Sequence, residues 1–260
     1  MKANGGHRIF YVGYPKSLTF LEPHLSKQEC YLAKLGGYVD GGYVVDYRAC
    51  LMTSHLVSGG VGSNVHFESD FLDINPDVLV TMIDPTVSVT RMLLRAGYHC
   101  FRKNASGLRS FSDTLTYLRV AQGATLVRRY LGDGYNVSQV LGDQSFGVGH
   151  KDPVRDVFIK LDIEGAEYGI LDDLLGVAHR LNGMCIEFHG LNDGRNVSDL
   201  RRFVEELRFH IVHININDAC MADGIPSVVE ISFSPREAMY WPERFGSASY
   251  LRNSRLAFAD

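Results

Sequence analysis

Asp156-Val157-Phe158-Ile159-Lys160-Leu161-Asp162-Ile163-Glu164-Gly165-Ala166-Glu167 is the stretch that decides how this chain folds. It begins as an apolar, largely β-branched run, and Lys160, Asp162 and Glu164 then fall at alternate positions toward its end. Gly165 interrupts the run, and Ala166 to Leu175 has helical spacing. The pattern predicts a buried strand whose carboxyl end carries acids into a turn before a helix. In open parallel sheets ligands bind at such ends. Carboxylates also favour the starts of helices, where the backbone dipole is positive. Three charges at the mouth of one otherwise apolar strand exceed what a helix cap requires.

The same architecture recurs upstream. His55-Leu56-Val57-Ser58 is a short apolar strand that runs into Gly59-Gly60-Val61-Gly62-Ser63-Asn64, and Val65 to Leu72 follows with helical character. A glycine turn between strand and helix lets backbone approach a nucleotide closely. Gly60-Val61-Gly62-Ser63-Asn64-Val65 supplies two of the three glycines of the dinucleotide fingerprint, with Val65 at the third position. That argues against a tightly bound pyrophosphate and tolerates a ligand without phosphates. The next strand, Asp77 to Asp84, ends on an acid 22 residues beyond Gly62. This is near the ~20-residue spacing at which an acid meets ribose hydroxyls. Val87 to Ala96 reads as a helix ended by Gly97, and Tyr98 to Ala105 as a third strand. Phe111 to Leu131 reads as helical, with Arg128 and Arg129 solvated near its end. Gly132 to His150 reads as loop, so that 106–150 is either a substrate lid or an inert insertion.

Downstream, Gly183-Met184-Cys185-Ile186-Glu187-Phe188-His189-Gly190 is a fifth strand, again ending in polar groups before a glycine. Val197 to Leu207 is an amphipathic helix. His210 to Asn217 and Ser227 to Phe233 read as strands, and the short connection between them makes them antiparallel neighbours. Residues 1–50 form a lead-in that packs on a 51–234 core. Its 16–35 stretch is a helix broken at Pro23, and Asp40-Gly41-Gly42 turns into a short strand at Tyr43-Val44-Val45. Residues 235–260, with Trp241, form a tail over the core. The fold class is α/β: a doubly wound, mostly parallel sheet with a terminal antiparallel strand.

Composition narrows the function. A balance of 26 Lys+Arg against 30 Asp+Glu gives a net −4, which offers no case for nucleic-acid binding. No apolar run approaches a membrane span, and Met1 to His7 lacks a signal-peptide core. The cysteines at 30, 50, 100, 185 and 220 are odd in number and scattered, which fits neither a disulfide framework nor a zinc knuckle. The expectation is a reduced, cytoplasmic protein.

Several of these motifs resemble the FkbM-like S-adenosylmethionine-dependent methyltransferases. Ile159 to Glu167 closely matches that family's most recognisable motif. Leu56 to Gly62 with Phe67 to Phe71, and Ile83-Asp84-Pro85-Thr86, are similar to its cofactor-side motifs. Asp40 to Val45, Ile186-Glu187-Phe188-His189 and His213-Ile214-Asn215 support the match, which runs from about residue 36 to 234. The resemblance implies a Rossmann-like sheet and methyl transfer to a hydroxyl of a sugar, polysaccharide or secondary-metabolite acceptor. On that reading Gly59, Gly60 and Gly62 accept the methionine end of S-adenosylmethionine and Asp84 binds the ribose. Asp162 and Glu164 face the sulfonium and the acceptor. His189 is then a general base, or Asp162, Glu187 and His189 hold a magnesium or manganese ion. Lys160 pairs with a neighbouring acid, and His213 is a buried histidine or a substrate contact. The alternatives are a nicotinamide-dependent oxidoreductase on a similar sheet and a non-catalytic cofactor-binding module.

Overall fold

The computed structural model describes residues 16–27, 31–37, 42–86, 105–143, 155–216 and 225–236, with isolated positions at 88, 90, 93–94, 97–98 and 221–222. Its centre is a seven-stranded sheet. In chain order the strands of the molecule are β1 (Leu32–Leu35), β2 (Tyr43–Asp46), β3 (His55–Gly59), β4 (Leu79–Ile83), β5 (Ala124–Val127), β6 (Val157–Leu161), β7 (Leu181–His189), β8 (Phe209–Ile216), β9 (Met221–Ala222), β10 (Ile225–Pro226) and β11 (Val228–Pro235). The sheet order is β5-β4-β3-β6-β7-β11-β8. β5, β4, β3, β6 and β7 are mutually parallel, and β11 is antiparallel to both β7 and β8. The antiparallel strand is thus the last of the described strands but lies inside the sheet.

β3 and β6 are buried along their whole length. Leu56 and Phe158 project into one half of the core, and Val57, Ile159 and Leu161 into the other. A strand covered on both faces reads as a continuous apolar run. That is why these two were legible. The first half of the core is covered by the β1–β2 hairpin, α1 (Tyr47–Leu51), α2 (His66–Ile74) and α3 (Ala105–Gly123). The second is covered by α4 (Val137–Asp143), α5 (Leu171–Val177), α6 (Gly194–Leu207) and a 3-10 helix at Lys16–His24. α6 opens on Asp193, whose side chain accepts the Arg195 N–H, and buries Leu200, Phe203, Val204 and Leu207.

The chain runs outward from β3 to β4 and β5, then crosses back to β6 on the other side of β3. The order therefore reverses between β3 and β6. Gly59 is the register partner of both Ile83 and Leu161, so three carboxyl ends lie level at that point. This is where open α/β sheets bind ligands.

Some expectations shift. The strand expected over 98–105 lies mostly outside the described residues, and Tyr98 and Ala105 at its ends are helical. β5 is formed by Ala124–Val127, inside what read as one helix from 111 to 131. The helix itself runs Ala105–Gly123, and the segment expected as loop contains α4. The 16–35 lead-in is helical only to His24, and Leu32–Leu35 pairs with β2. Most of the helix expected over 87–96, and all of 237–260 including Trp241, fall outside the described residues. Among the described residues no helix is long and apolar enough to cross a membrane. Cys50 and Cys185 are buried free thiols.

Under this sheet lies a histidine with a consequence for stability. His55 is fully buried, its Nε2 2.9 Å from Thr81 Oγ1, and burial lowers its pKa to about 4. The nearby Asp156 charge opposes this shift and Arg180 adds to it. The folded state binds fewer protons than the unfolded chain between that value and the free imidazole pKa of about 6.5. His55 therefore stabilises the fold fully above about pH 6.5, and that contribution is lost as pH falls toward 4, by an amount of about 3 kcal/mol at most. Urea midpoints measured between pH 7 and pH 4 should fall steeply, and His55→Gln should flatten the profile. Parallel profiles for the two proteins would refute the assignment.

Candidate active site

The turn after β3 is built by close approach. Gly60 has φ +71°, and a Cβ placed on it would meet the Asp162 carbonyl oxygen at 1.5 Å. Only glycine lets the two strand ends come this near. The Asp162 N–H donates to the Gly59 carbonyl at 3.1 Å, and the Gly60 N–H to that of Ile83 at 3.0 Å. Gly62, with φ +55°, would place a Cβ in open space. Its N–H donates to Asp84 Oδ2 at 2.7 Å, while Asp84 Oδ1 accepts from the Thr86 N–H at 2.6 Å and the Thr86 hydroxyl at 2.7 Å. Asp84 is thus joined to the glycine turn directly, across the 22 residues that separate them.

A crevice of about 280 Å³ opens beside these groups. Gly60, Gly62, Asp84 and Thr86 line one side, Asp162 to Glu164 with Ala166 another, and Arg129, Tyr130 and Leu131 a third. The last three follow β5 and were missed, because Arg128 and Arg129 read as solvated helix residues. Arg129 instead stands over the Tyr135 ring at 4.9 Å, as cations favour the faces of aromatic rings.

The acids after β6 separate in role. Glu164 has φ +56° and an 87% exposed side chain, and Gly165 follows at φ +98°. Two consecutive left-handed residues make the sharp turn that the glycine permits. Glu167 is fully buried instead. Its Oε1 accepts the Ile163 N–H at 3.2 Å and the Gly165 N–H at 3.1 Å, and lies 3.0 Å from His189 Nδ1. Tyr168 donates its hydroxyl to the His189 carbonyl at 2.7 Å. The turn after β6 therefore clamps the end of β7 and directs His189 Nε2 at three other carboxylates. These are Glu187 at 3.5 Å, Glu164 at 3.7 Å and Asp162 at 4.0 Å.

So many acids around one imidazole shift its chemistry. The hydrogen bond to Glu167 raises the His189 pKa to about 9, against the opposing pull of burial. Burial, and then the Asp162 and Glu230 charges, raise Glu187 to about 7. Without a cation beside them, these surroundings favour a proton on His189 and make Glu187 harder to ionise than an ordinary carboxyl group. Glu187 Oε2 also accepts from the Tyr43 hydroxyl at 3.2 Å. It lies in register with Glu230 on β11, which lies in register with Asn215 on β8. Asn215 donates to Glu230 Oε2 at 3.1 Å, so a polar row leads from the cluster across the sheet. His213 is on the same face, in register with Ser232, and burial lowers its pKa to about 4.

The structure thus brings Gly59, Gly60, Gly62, Asp84, Asp162, Glu164, Glu187 and His189 to one edge of the sheet. Among the described residues, Asp162, Glu164 and His189 bring potential ligand atoms within 4.8 Å of one another. Glu164 joins that set, where the sequence had suggested Glu187. Lys160 does pair with Asp162, Nζ to Oδ2 at 3.9 Å. Tyr43, Glu167 and Glu230 were not assigned roles from sequence. Tyr43 belongs to a quoted motif, Asp40 to Val45, whose hairpin only the fold brings over β7.

A sheet in this order, with a glycine turn and an acid at its reversal point, is a doubly wound, Rossmann-like α/β fold. Residues 101–211 match the methyltransferase FkbM domain. Similar solved structures include the precorrin-6y C5,15-methyltransferase of Geobacter metallireducens, 14% identical over 72% of this chain and 84% of that one, with a TM-score of 0.37. A human methyltransferase 10 domain containing protein is 10% identical over 85% and 82%, with a TM-score of 0.37. TYW2 of M. jannaschii, in complex with AdoMet, is 11% identical over 81% and 89%, with a TM-score of 0.33. No curated protein gives a significant match.

Proposed function

We propose that this chain transfers the methyl group of S-adenosylmethionine to a hydroxyl of a sugar, polysaccharide or secondary-metabolite acceptor. One observation carries the reading: the glycine turn and Asp84 share a crevice with Asp162 and Glu164, and the acid–imidazole cluster adjoins it. When bound, the cofactor supplies a methyl group on a positively charged sulfur. The donor set fits such a ligand. Gly62 leaves open space above its α-carbon, and the turn offers backbone rather than side chains to the methionine end. Asp84 already accepts three hydrogen bonds, and its carboxylate would hold the ribose hydroxyls.

The cluster then serves the acceptor. In-line transfer needs alignment and removal of the hydroxyl proton. Asp162, Glu164 and His189 fit a hard divalent cation such as magnesium or manganese, which supplies Lewis acidity to a coordinated hydroxyl. Glu167, by holding Nδ1, leaves Nε2 as the ligating nitrogen, the usual arrangement of a metal-bound histidine. A metal-free variant of the reading has Glu187 take the proton, favoured by its raised pKa beside Tyr43. Exhaustive chelation separates the two. Loss of activity restored by Mn²⁺ supports the cation, and full retention supports Glu187.

Calorimetry with S-adenosylmethionine and S-adenosylhomocysteine is the first test. Binding of both is expected, and no heat from either at millimolar concentration would end the proposal. Stabilisation by NAD alone would point to the oxidoreductase instead. The oxygen acceptor is tested by product analysis after incubation with a panel of sugars and phenols.

A further inference from the structure

A charged group lies where an apolar strand should carry none. Lys160 is 4% exposed on β6, in register with Ser58 on β3 and Cys185 on β7. A buried ammonium is strongly unfavourable unless paired and hydrogen-bonded. Its Nζ donates to the Gly60 carbonyl at 3.2 Å, reaches Asp162 Oδ2 at 3.9 Å and stands 5.6 Å from the centre of the Tyr43 ring. A buried carboxyl group is linked to it through Ser58, its register partner on β3. Glu68, in the first turn of α2, is fully buried, and the Ser58 hydroxyl donates to its Oε1. Among the described residues its Oε2 has no hydrogen-bond partner, which is rare for a buried carboxylate oxygen. Burial raises the Glu68 pKa, and the Lys160 charge acts against that shift. Nothing in the proposed methyl transfer uses Glu68 or Ser58.

We propose that Lys160 is a positioning residue: with Ser58 and, behind it, Glu68 of α2 at its side, its ammonium ties the Gly60 carbonyl to the Asp162 carboxylate and fixes the methionine end of the cofactor relative to the acid cluster. This rests on the proposed cofactor site and adds to it a residue that touches neither ligand. The geometry makes the influence one-sided. Lys160 contacts the turn at Gly60, whereas the Asp84 end of the crevice is held by Gly62 and Thr86. Loss of Lys160 therefore loosens the methionine end and leaves the nucleoside end in place. It also removes the charge that opposes the effect of burial on Glu68, and Glu68→Gln should disturb the lysine in turn.

The test compares two ligands on the full chain by calorimetry, with unfolding temperature as a control. Lys160→Met should weaken S-adenosylhomocysteine by about tenfold or more, the scale of one charged hydrogen bond, while adenosine stays within about twofold. Glu68→Gln should give the same split at smaller size, and it decides the matter if Lys160→Met does not fold. An equal loss for both ligands means a merely structural lysine and overturns the proposal, as does unchanged S-adenosylhomocysteine affinity. If the unaltered protein binds neither S-adenosylmethionine nor S-adenosylhomocysteine, the cofactor site itself is refuted and the role of Lys160 falls with it.

Discussion

Gly60→Ala is expected to be the most damaging single methyl group that can be added at the β3 turn. Its Cβ would stand 1.5 Å from the Asp162 carbonyl oxygen and 2.5 Å from the carbonyl carbon, both main-chain atoms. A flexible side chain could move aside, but here two strand ends must separate. The left-handed φ of +71° adds about 1–2 kcal/mol for any residue with a Cβ. The total should exceed about 4 kcal/mol, the level at which a substitution has a specific steric cause. Gly62→Ala is the control. It bears a similar left-handed φ of +55° but has nothing within 4 Å of the added carbon, so only about 1–2 kcal/mol is expected. Denaturant midpoints of the two variants would decide this. Equal, small losses would mean that the β3 and β6 ends are not in the contact described.

Asp162→Asn should produce the largest loss of turnover without a loss of fold. Every hydrogen bond that ties this residue to the sheet is made by its backbone, whose N–H donates to Gly59. Among the described residues its carboxylate is paired with Lys160 at 3.9 Å and His189 at 4.0 Å. The amide keeps the shape and removes the charge that a cation or the Lys160 ammonium needs. Methyl transfer should fall by about 10²–10⁴, the range of a lost proton-transfer group, with the unfolding midpoint little changed. S-adenosylhomocysteine binding should weaken far less than turnover. Turnover within about threefold of the parent protein would remove Asp162 from the chemistry, since that is close to the scale of a peripheral contact.

The two positions also show what a sequence can disclose. The strand of Asp162 was legible because it is buried on both faces, and a doubly covered strand must be apolar until it emerges. The glycine turn and Asp84 were legible together, since their spacing reflects one strand–helix–strand unit. Ala124–Val127 was not. It is a short edge strand, none of whose four residues is fully buried, so it carries no periodic signal and merged with the preceding helix. Glu167 was also opaque. An acid at a helix start looks the same whether solvated or buried. Only β7, which brings His189 to 3.0 Å, makes the difference. Tyr43 reaches Glu187 because the β1–β2 hairpin folds over a strand far along the chain, a contact no local pattern encodes.

β11 gives the sheet a constraint in time as well as in space. It is the last strand of the sheet to leave the ribosome, yet it lies between β7 and β8, which have no other bridge to each other in the sheet. Until about Pro235 has emerged, β7 presents an open edge on the side that carries Glu187, and β8 has no neighbour in the sheet. Unpaired edges recruit other strands, which makes nascent or truncated chains prone to aggregation. The parallel half of the sheet, with the glycine turn and Asp84, can assemble during synthesis, whereas Glu187 and Glu230 meet only at the end. The acid row of this protein is therefore completed late, by the last of the described strands.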